Sequence, residues 1–461
     1  MRKLFSEKDR PKWFGYLCAV WRRSSFTFLT AALLSLIIIA GNSSAQRVSL
    51  TLDEAVDRAL MNNKSLKAAA FDTTAVVFDN YRARSYRYPS LSINSKARFI
   101  SELQSITTSL FSKEIGSKEQ YQTDVTLSVP IFTGGKISSR IRMTKEQLAA
   151  SRLQFSTIRL QTIHVSKDVY YQLMAADVSV KATEASMVRL DIIRQNVENL
   201  YQSGLADSLD ILETMLAYET GSRSLSDMKT NFINASDVLK NVIGETNLSI
   251  EIVPSKALEI PTKPAYSSQT LSGVAGRPEL SRLVHVIKAA DEAASERRAA
   301  YFPNISGFAG YSYGMPNQDM FNKSWNDYFS AGISLNWSFN LGRETSYAVK
   351  SARAKASSLE MSYRAMEEAL VLKAKIAYNN TLKSFSSYEI VQRELQFARR
   401  KYALAQQKQK EGNLSVNRLL EMEAELTTAE KRYEASIISF YRAENDFLYA
   451  IGSDKTTGVT P

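Results

Sequence analysis

Few side chains in this 461-residue sequence have the types and spacing that chemistry demands. Gly134-Gly135-Lys136 carries the letters of a phosphate loop, in which glycine amides cradle phosphates and a lysine reaches them. No glycine stands five residues before Gly135 and no Ser or Thr follows Lys136, so a strand-to-helix hinge is the expected role. His164 and His285 are the only imidazoles, and neither has a His, Cys or carboxylate partner at ligand spacing, so no metal site is expected. No Ser/His/Asp set can be assembled, and paired carboxylates on helices are expected to be solvated. The sequence therefore points to no enzyme and no cofactor. Asp210 and Glu213 stand three apart and share a helix face, and Arg418 and Glu421 occupy the same places in a second copy of the pattern. That spacing suits a charged constriction in which Asp210 and Arg418 pair between neighbouring hairpins. Acids at a solvated helix start, favoured by the helix dipole, would give the same letters.

The charge must be located before it is interpreted. Lys and Arg number 58 against 47 Asp and Glu, a formal +11. Residues 1–45 hold seven of the cations and two of the acids, then the uncharged apolar run 26–40, then Ser43-Ser44-Ala45. This reads as a secretory signal peptide, the apolar run being short for a membrane span. Its removal leaves 51 against 45, or +6, which takes away most of the case for nucleic acid. Cys18, the only cysteine, precedes the apolar run, so the mature chain is expected to be neither a lipoprotein nor disulfide-bonded.

The elements that must position the charged tips come in duplicate. Setting Gly204 on Gly412 aligns 204–244 with 412–452 without a gap, and Tyr88-Pro89-Ser90-Leu91 falls on Phe302-Pro303-Asn304-Ile305. The expected organisation is a first repeat 46–244, a Pro-containing linker 245–276, a second repeat 277–452 and a tail 453–461. Each repeat reads helix, two strands, very long helix, turn, returning helix. Thr51-Leu52-Asp53-Glu54 is a capping box, and the helix it opens is expected to run from 52 to about 87. Strands are expected at 90–101, 119–132, 304–313 and 328–340. Each alternates an apolar with a small polar face, as half-buried antiparallel strands do, and their edges demand closure. Tyr121, Tyr311, Tyr313, Tyr328 and Trp337 suit an aromatic girdle at a membrane interface. The segments 102–118 and 314–327 then become loops.

Prolines are absent from 131–253 and 317–460, and 136–203 and 343–411 contain no glycine either. Each of these two stretches predicts a helix roughly 100 Å long at 1.5 Å per residue. Gly204 and Gly412 supply left-handed caps, and Asp207 and Ser415 can cap the returning helices 207–243 and 415–451. The helix entering the strands and the returning helix together match the length of the long one, so the two are expected to lie end to end beside it.

These residues resemble the TolC-like outer membrane efflux protein family, over about 50–452. The resemblance rests on Leu50-Thr51-Leu52-Asp53-Glu54-Ala55, Tyr88-Pro89-Ser90-Leu91, Val129-Pro130-Ile131-Phe132-Thr133-Gly134-Gly135, Gly204-Leu205 with Leu209-Asp210-Ile211-Leu212, and the duplicates Phe339-Asn340-Leu341-Gly342-Arg343 and Gly412-Asn413-Leu414-Ser415. It implies a mostly α protein with membrane β, internally duplicated. Each chain of a homotrimer would give four strands to a twelve-stranded barrel in outer membrane lipid, continued by an α-helical coiled-coil barrel in the periplasm. The duct would be passive, docking by its tips (Gly204, Leu205, Gly412, Leu414 and Ser415) to a periplasmic adaptor served by an inner-membrane pump of RND or ABC type. In the best-known members a Tyr three before the second-half Gly and an Arg two after it latch the tip. Here those places hold Gln409 and Leu414, and Asp210–Arg418 contacts are expected to replace the latch, with Glu213 and Glu421 nearby. A structural coiled-coil envelope protein or adhesin is the alternative, but it needs one continuous heptad and no duplication.

Overall fold

The computed structural model describes residues 46–107, 112–245, 250–254, 258–264, 273–318 and 323–453. The proposed signal peptide, the two outer loop tips and nearly all of the tail lie outside the described residues. In chain order the elements are β1 (Gln46–Leu50), α1 (Leu52–Asn62), α2 (Lys64–Ser85), β2 (Ser90–Phe99), β3 (Gln104–Thr107), β4 (Ser112–Ile115), β5 (Glu119–Phe132), α3 (Lys136–Gln202) and α4 (Ser208–Ile243). The second half continues with β6 (Ile250–Pro254), α5 (Pro278–Arg298), β7 (Asn304–Met315), β8 (Asn326–Asn336), α6 (Glu344–Lys410) and α7 (Val416–Ala450).

The two long helices, α3 and α6, have 67 residues each. Two shorter helices lie end to end beside each of them: α2 and α4 against α3, and α5 and α7 against α6. Helices α5 and α7 also pack on α3, which joins the two halves. A shaft this slender has no single core. Its buried residues form separate clusters: one around Leu50, Tyr170, Leu173 and Leu239, one around Val197, Leu395, Leu419 and Leu426, and one around Val274, Ala374 and Phe447.

Four elements depart from the sequence expectation. The helix expected over 52–87 breaks at Asn63, whose ψ of 121° leaves the helical region while its side chain accepts from the Leu66 amide at 3.1 Å. Asn competes with the backbone inside helices, and capping a new helix satisfies that tendency. Strand β1, unforeseen, pairs in parallel with β6 of the linker, Gln46 against Ile250 through Leu50 against Pro254. The segment 102–118 holds the short antiparallel pair β3 and β4. The strand expected over 328–340 ends at Asn336. Trp337 leaves the ladder and donates its indole N–H to the Tyr301 carbonyl (3.3 Å), and Asn340 folds its side chain onto the Gly342 amide (2.8 Å) to turn the chain into α6.

Two polar junctions tie the shaft together. At mid-height Arg277 is almost wholly buried and donates to the Tyr449 and Ala450 carbonyls at the end of α7, with Glu279 taking the other side of its guanidinium. The Tyr449 ring lies 5.0 Å from the Arg277 guanidinium and 4.9 Å from the Lys373 ammonium. Its other neighbour is His164, stacked at 4.4 Å. The Asn445 amide nitrogen sits 3.1 Å from His164 Nδ1, which therefore accepts, and the ring proton belongs on Nε2, 3.5 Å from Asp446. Burial holds the imidazole below its ordinary value, against the opposing pull of Asp446 and Asp168 and with Lys373 adding to the depression.

Lower down, Glu423 is buried between α3 and α7. It accepts from Ser186 (2.8 Å), Thr427 (2.7 Å) and Arg189 (3.1 Å), and Arg189 also reaches Glu430 at 3.0 Å.

Arg189→Ala strands that buried carboxylate and is expected to cost about 3 kcal/mol, read as a lowered thermal midpoint. The depressed His164 value gives a pH dependence of defined sign. The unfolded chain binds the extra proton, so the contribution is complete above about pH 6.5 and is lost as pH falls through the folded value. Asp446, raised by burial, acts in the opposite sense. Thermal melts between pH 5 and 7.5 should show His164→Gln losing less stability on acidification than the native chain.

Candidate functional site

Two regions present unpartnered surface, one at each end of the shaft. The first is a four-stranded antiparallel sheet in the order β2-β5-β7-β8, whose outer strands β2 and β8 each keep one free edge. Its register sorts the side chains into two faces. Leu91, Ile93 and Phe99 fall in one set of rows with Tyr121, Val125 and Leu127, then Ile305, Ala309 and Tyr311, then Phe329, Ile333 and Leu335. Ser92, Asn94 and Lys96 fall in the other set with Gln122, Thr126 and Ser128, then Ser306 and Ser312, then Ser330 and Ser334. The apolar face is solvent-exposed in the single chain; Leu91, Ile93, Phe329 and Ile333 are each at least 66% accessible. At the distal end Trp325 stacks on Tyr121 (6.0 Å) and Tyr313 (5.1 Å), two of the expected girdle residues. Pro130, which has no N–H to give to a ladder, stands at a register shift before Phe132. Gly134 then turns the chain at φ 62°, and a Cβ there would stand 2.6 Å from the Ala299 carbonyl. Gly134-Gly135 is thus the hinge between sheet and long helix.

The second region comprises the hairpin tips. Each long helix stops the same way. Gly204 is left-handed (φ 74°), its N–H reaches the Tyr201 carbonyl, and Leu205 N–H reaches Leu200 at 2.8 Å. Gly412 (φ 73°) repeats this, with Asn413 N–H on Lys408 at 2.8 Å. These are paired backbone bonds that satisfy the last carbonyls of a helix. Asp207 then caps α4, accepting from Asp210 N–H at 2.9 Å, while Asp210 returns an oxygen to the Asp207 amide at 3.4 Å. Ser415 caps α7 through the Arg418 amide at 3.4 Å.

The charged residues picked out by spacing therefore divide. Asp210 completes a capping box, and Arg418 pairs with Glu421 on its own helix, so within one chain the two are engaged separately. Glu213 and Glu421 are brought together: both line a groove of about 540 Å³ between α4 and α7, with Leu216, Leu420 and Lys431. Among the described residues no group of three metal-ligating side chains occurs.

A strand-bearing sheet feeding paired helices, present twice, is also the pattern of a known protein family. The model described as outer membrane efflux protein matches residues 55–245 and 273–453. The chain belongs to the outer membrane efflux protein family. Relatives by sequence include outer membrane efflux protein BepC of Brucella suis, 22% identical over 202 residues covering 44% of this chain and 43% of that protein. Toxin and drug export protein A of Aggregatibacter actinomycetemcomitans is 19% identical over 256 residues, 55% of this chain and 54% of that protein. The chain spans about half the length of the relatives it matches by sequence. Among solved structures, the Campylobacter jejuni CmeC outer membrane channel superposes with a TM-score of 0.74 at 18% identity over 87% of this chain and 85% of that one. CusC gives 0.73 at 17% identity over 88% and 93%. These likenesses establish the fold.

In this efflux-family chain sequence reasoning missed one tip feature. Leu205, Leu209, Leu212 and Leu216 form an exposed stripe on the first hairpin, each at least 60% accessible. The equivalent places in the second are Asn413, Asn417, Leu420 and Ala424. The three- and four-residue spacing was visible, but it reads equally as a buried helix face.

The helix stops are expected to depend on glycine alone, since a Cβ at Gly412 meets nothing within 4 Å. Gly412→Ala should cost about 1 kcal/mol through its left-handed backbone, measured as faster amide exchange at 408–413 with the rest of the shaft unchanged.

Proposed function

We propose that this chain, freed of residues 1–45 as a signal peptide and carrying no lipid anchor, forms a homotrimeric outer membrane duct. It is the passive exit of a tripartite efflux or type I secretion system, without catalytic activity, cofactor or nucleic-acid partner. The observation that carries this reading is the sheet. Four strands with a bare apolar face and two unpaired edges cannot close a pore, single-chain bacterial barrels beginning at eight strands. Joining the β2 edge of one copy to the β8 edge of the next closes twelve strands with three chains and continues the helices as a tunnel. Outside lipid the exposed apolar face would be an aggregation surface; inside it, it is the required one.

The tips then become the adaptor-docking end. Gly204, Leu205, Gly412, Leu414 and Ser415 shape the two hairpin ends, and the leucine stripe offers an apolar face to an α-helical adaptor fed by an RND or ABC pump. The aperture is formed by Asp210, Glu213, Arg418 and Glu421. Within a chain Asp210 Oδ1 accepts no hydrogen bond among the described residues, so it is the oxygen that would meet Arg418 of a neighbouring hairpin, with Arg418 exchanging Glu421 for Asp210.

Cross-linking of detergent-extracted protein is expected to give a trimer, and a monomer in the soluble periplasmic fraction would refute the duct. In planar bilayers Asp210→Ala with Arg418→Ala should raise single-channel conductance; unchanged conductance removes the latch while leaving the duct.

A further inference from the structure

The polar face of the sheet carries an arrangement of charge that duct function alone does not require. Its charged side chains on β2 and β5 are Lys96, Arg98 and Asp124. The register stacks them in tiers along the strands. Asp124 lies opposite Asn94, Lys96 one tier further out opposite Gln122, and Arg98 outermost opposite Gln120. The acid does not neutralise the bases. Asp124 Oδ1 accepts from the side-chain Nε2 of Gln122 at 2.9 Å, and Arg98 donates through Nε and Nη2 to the side-chain Oε1 of Gln120 at 3.2 and 2.5 Å. Neither Lys96 nor Arg98 forms an ion pair among the described residues, and both are exposed. The amide partners fix the direction of the guanidinium without consuming its charge.

Strand β2 leaves α2 at Ser90 and runs away from the helical shaft, so Lys96 and Arg98 lie in its distal half. Two residues of strand rise about 7 Å, within the ~8 Å over which physiological salt screens charge. The two tiers therefore add their potentials. The polar row faces the lumen once the apolar row faces lipid, an assignment that rests on the trimeric barrel proposed above.

We propose that Lys96 and Arg98 form an anion-binding collar just inside the outer mouth of the pore, selective for multivalent anions. In the three-fold assembly they make two adjacent rings of three cations, with a ring of three Asp124 carboxylates behind them. Rings of Lys and Arg are a physical basis of anion selectivity in pores, and a lumen walled by low-dielectric material concentrates their field. The carboxylate ring limits how deep the anion sits. Cargo leaving the duct meets this collar last, so anionic cargo is drawn outward and cationic cargo meets a barrier.

The test uses inorganic tripolyphosphate as a blocker of the native trimer in planar bilayers. Added on the barrel side, it should reduce single-channel current, with block weakening as salt rises. Lys96→Gln with Arg98→Gln should raise the half-blocking concentration roughly tenfold or more, while the charge-conserving Lys96→Arg with Arg98→Lys should retain block. Asp124→Asn should tighten it. Lys96 and Arg98 are exposed and Asp124→Asn is isosteric, and recovery of the detergent-stable trimer verifies assembly of each variant. A conducting channel whose block is the same in native and Gln variants, or that is blocked only from the helical side, overturns the collar and leaves the duct intact. Absence of any conductance overturns both.

Discussion

An unpaired backbone N–H or C=O in hydrocarbon costs several kcal/mol, and the sheet of this chain has two whole edges of them. Much of the architecture answers to that constraint. Among the described residues the sheet has only four strands, too few to satisfy both edges within one chain, and the trimer proposed above would join them between copies. The duplication supplies the geometry: two strand pairs enter and leave the sheet at the same end, each delivering the chain to a long helix. Register then matters more than composition. A slip of one residue would exchange the faces, setting Ile93, Val125 and Phe329 among the polar rows and Lys96 and Asp124 among the apolar ones.

The helical shaft solves a different problem. It is nowhere thick enough for one continuous core, and its apolar clusters are separated along the axis. Between them, buried polar groups fix which helix meets which: Arg277 on the end of α7, His164 with Asn445, and Arg189 with Glu423. Such contacts add little net stability over apolar packing, but a wrong register leaves charges stranded. Long helices can slide by a turn with little loss of apolar contact, and these groups oppose that.

The sequence made the long helices legible because they lack Pro and Gly and end at Gly204 and Gly412. The strands were legible because period two alternates cleanly. The break at Asn63 was not, since Asn is tolerated inside helices, yet the aligned position in the second half reads Arg277-Pro278, a helix start by proline. Strands β1 and β6 escaped notice because each is five residues long and their partners lie about 200 residues apart. At the tips, the caps Asp207 and Ser415 followed from residue type and position. The pairing of Arg189 with Glu423, 234 residues apart, had no local signal. Asp210 and Arg418 share a helical position by alignment, but alignment does not say that each has a partner nearer at hand.

The helix stop itself is built from backbone bonds and one glycine, so it places no demand on the side chains around it. That independence lets the two tips of one chain drift apart in character while ending at equivalent points, and they have: Leu205 and Leu209 on one, Asn413 and Asn417 on the other. A three-fold ring of such chains would carry six teeth of alternating greasy and polar kind. Any partner that gripped such a ring would read two surfaces in turn and would be held to a rotational setting, because a shift by one tooth would set every contact against the wrong chemistry.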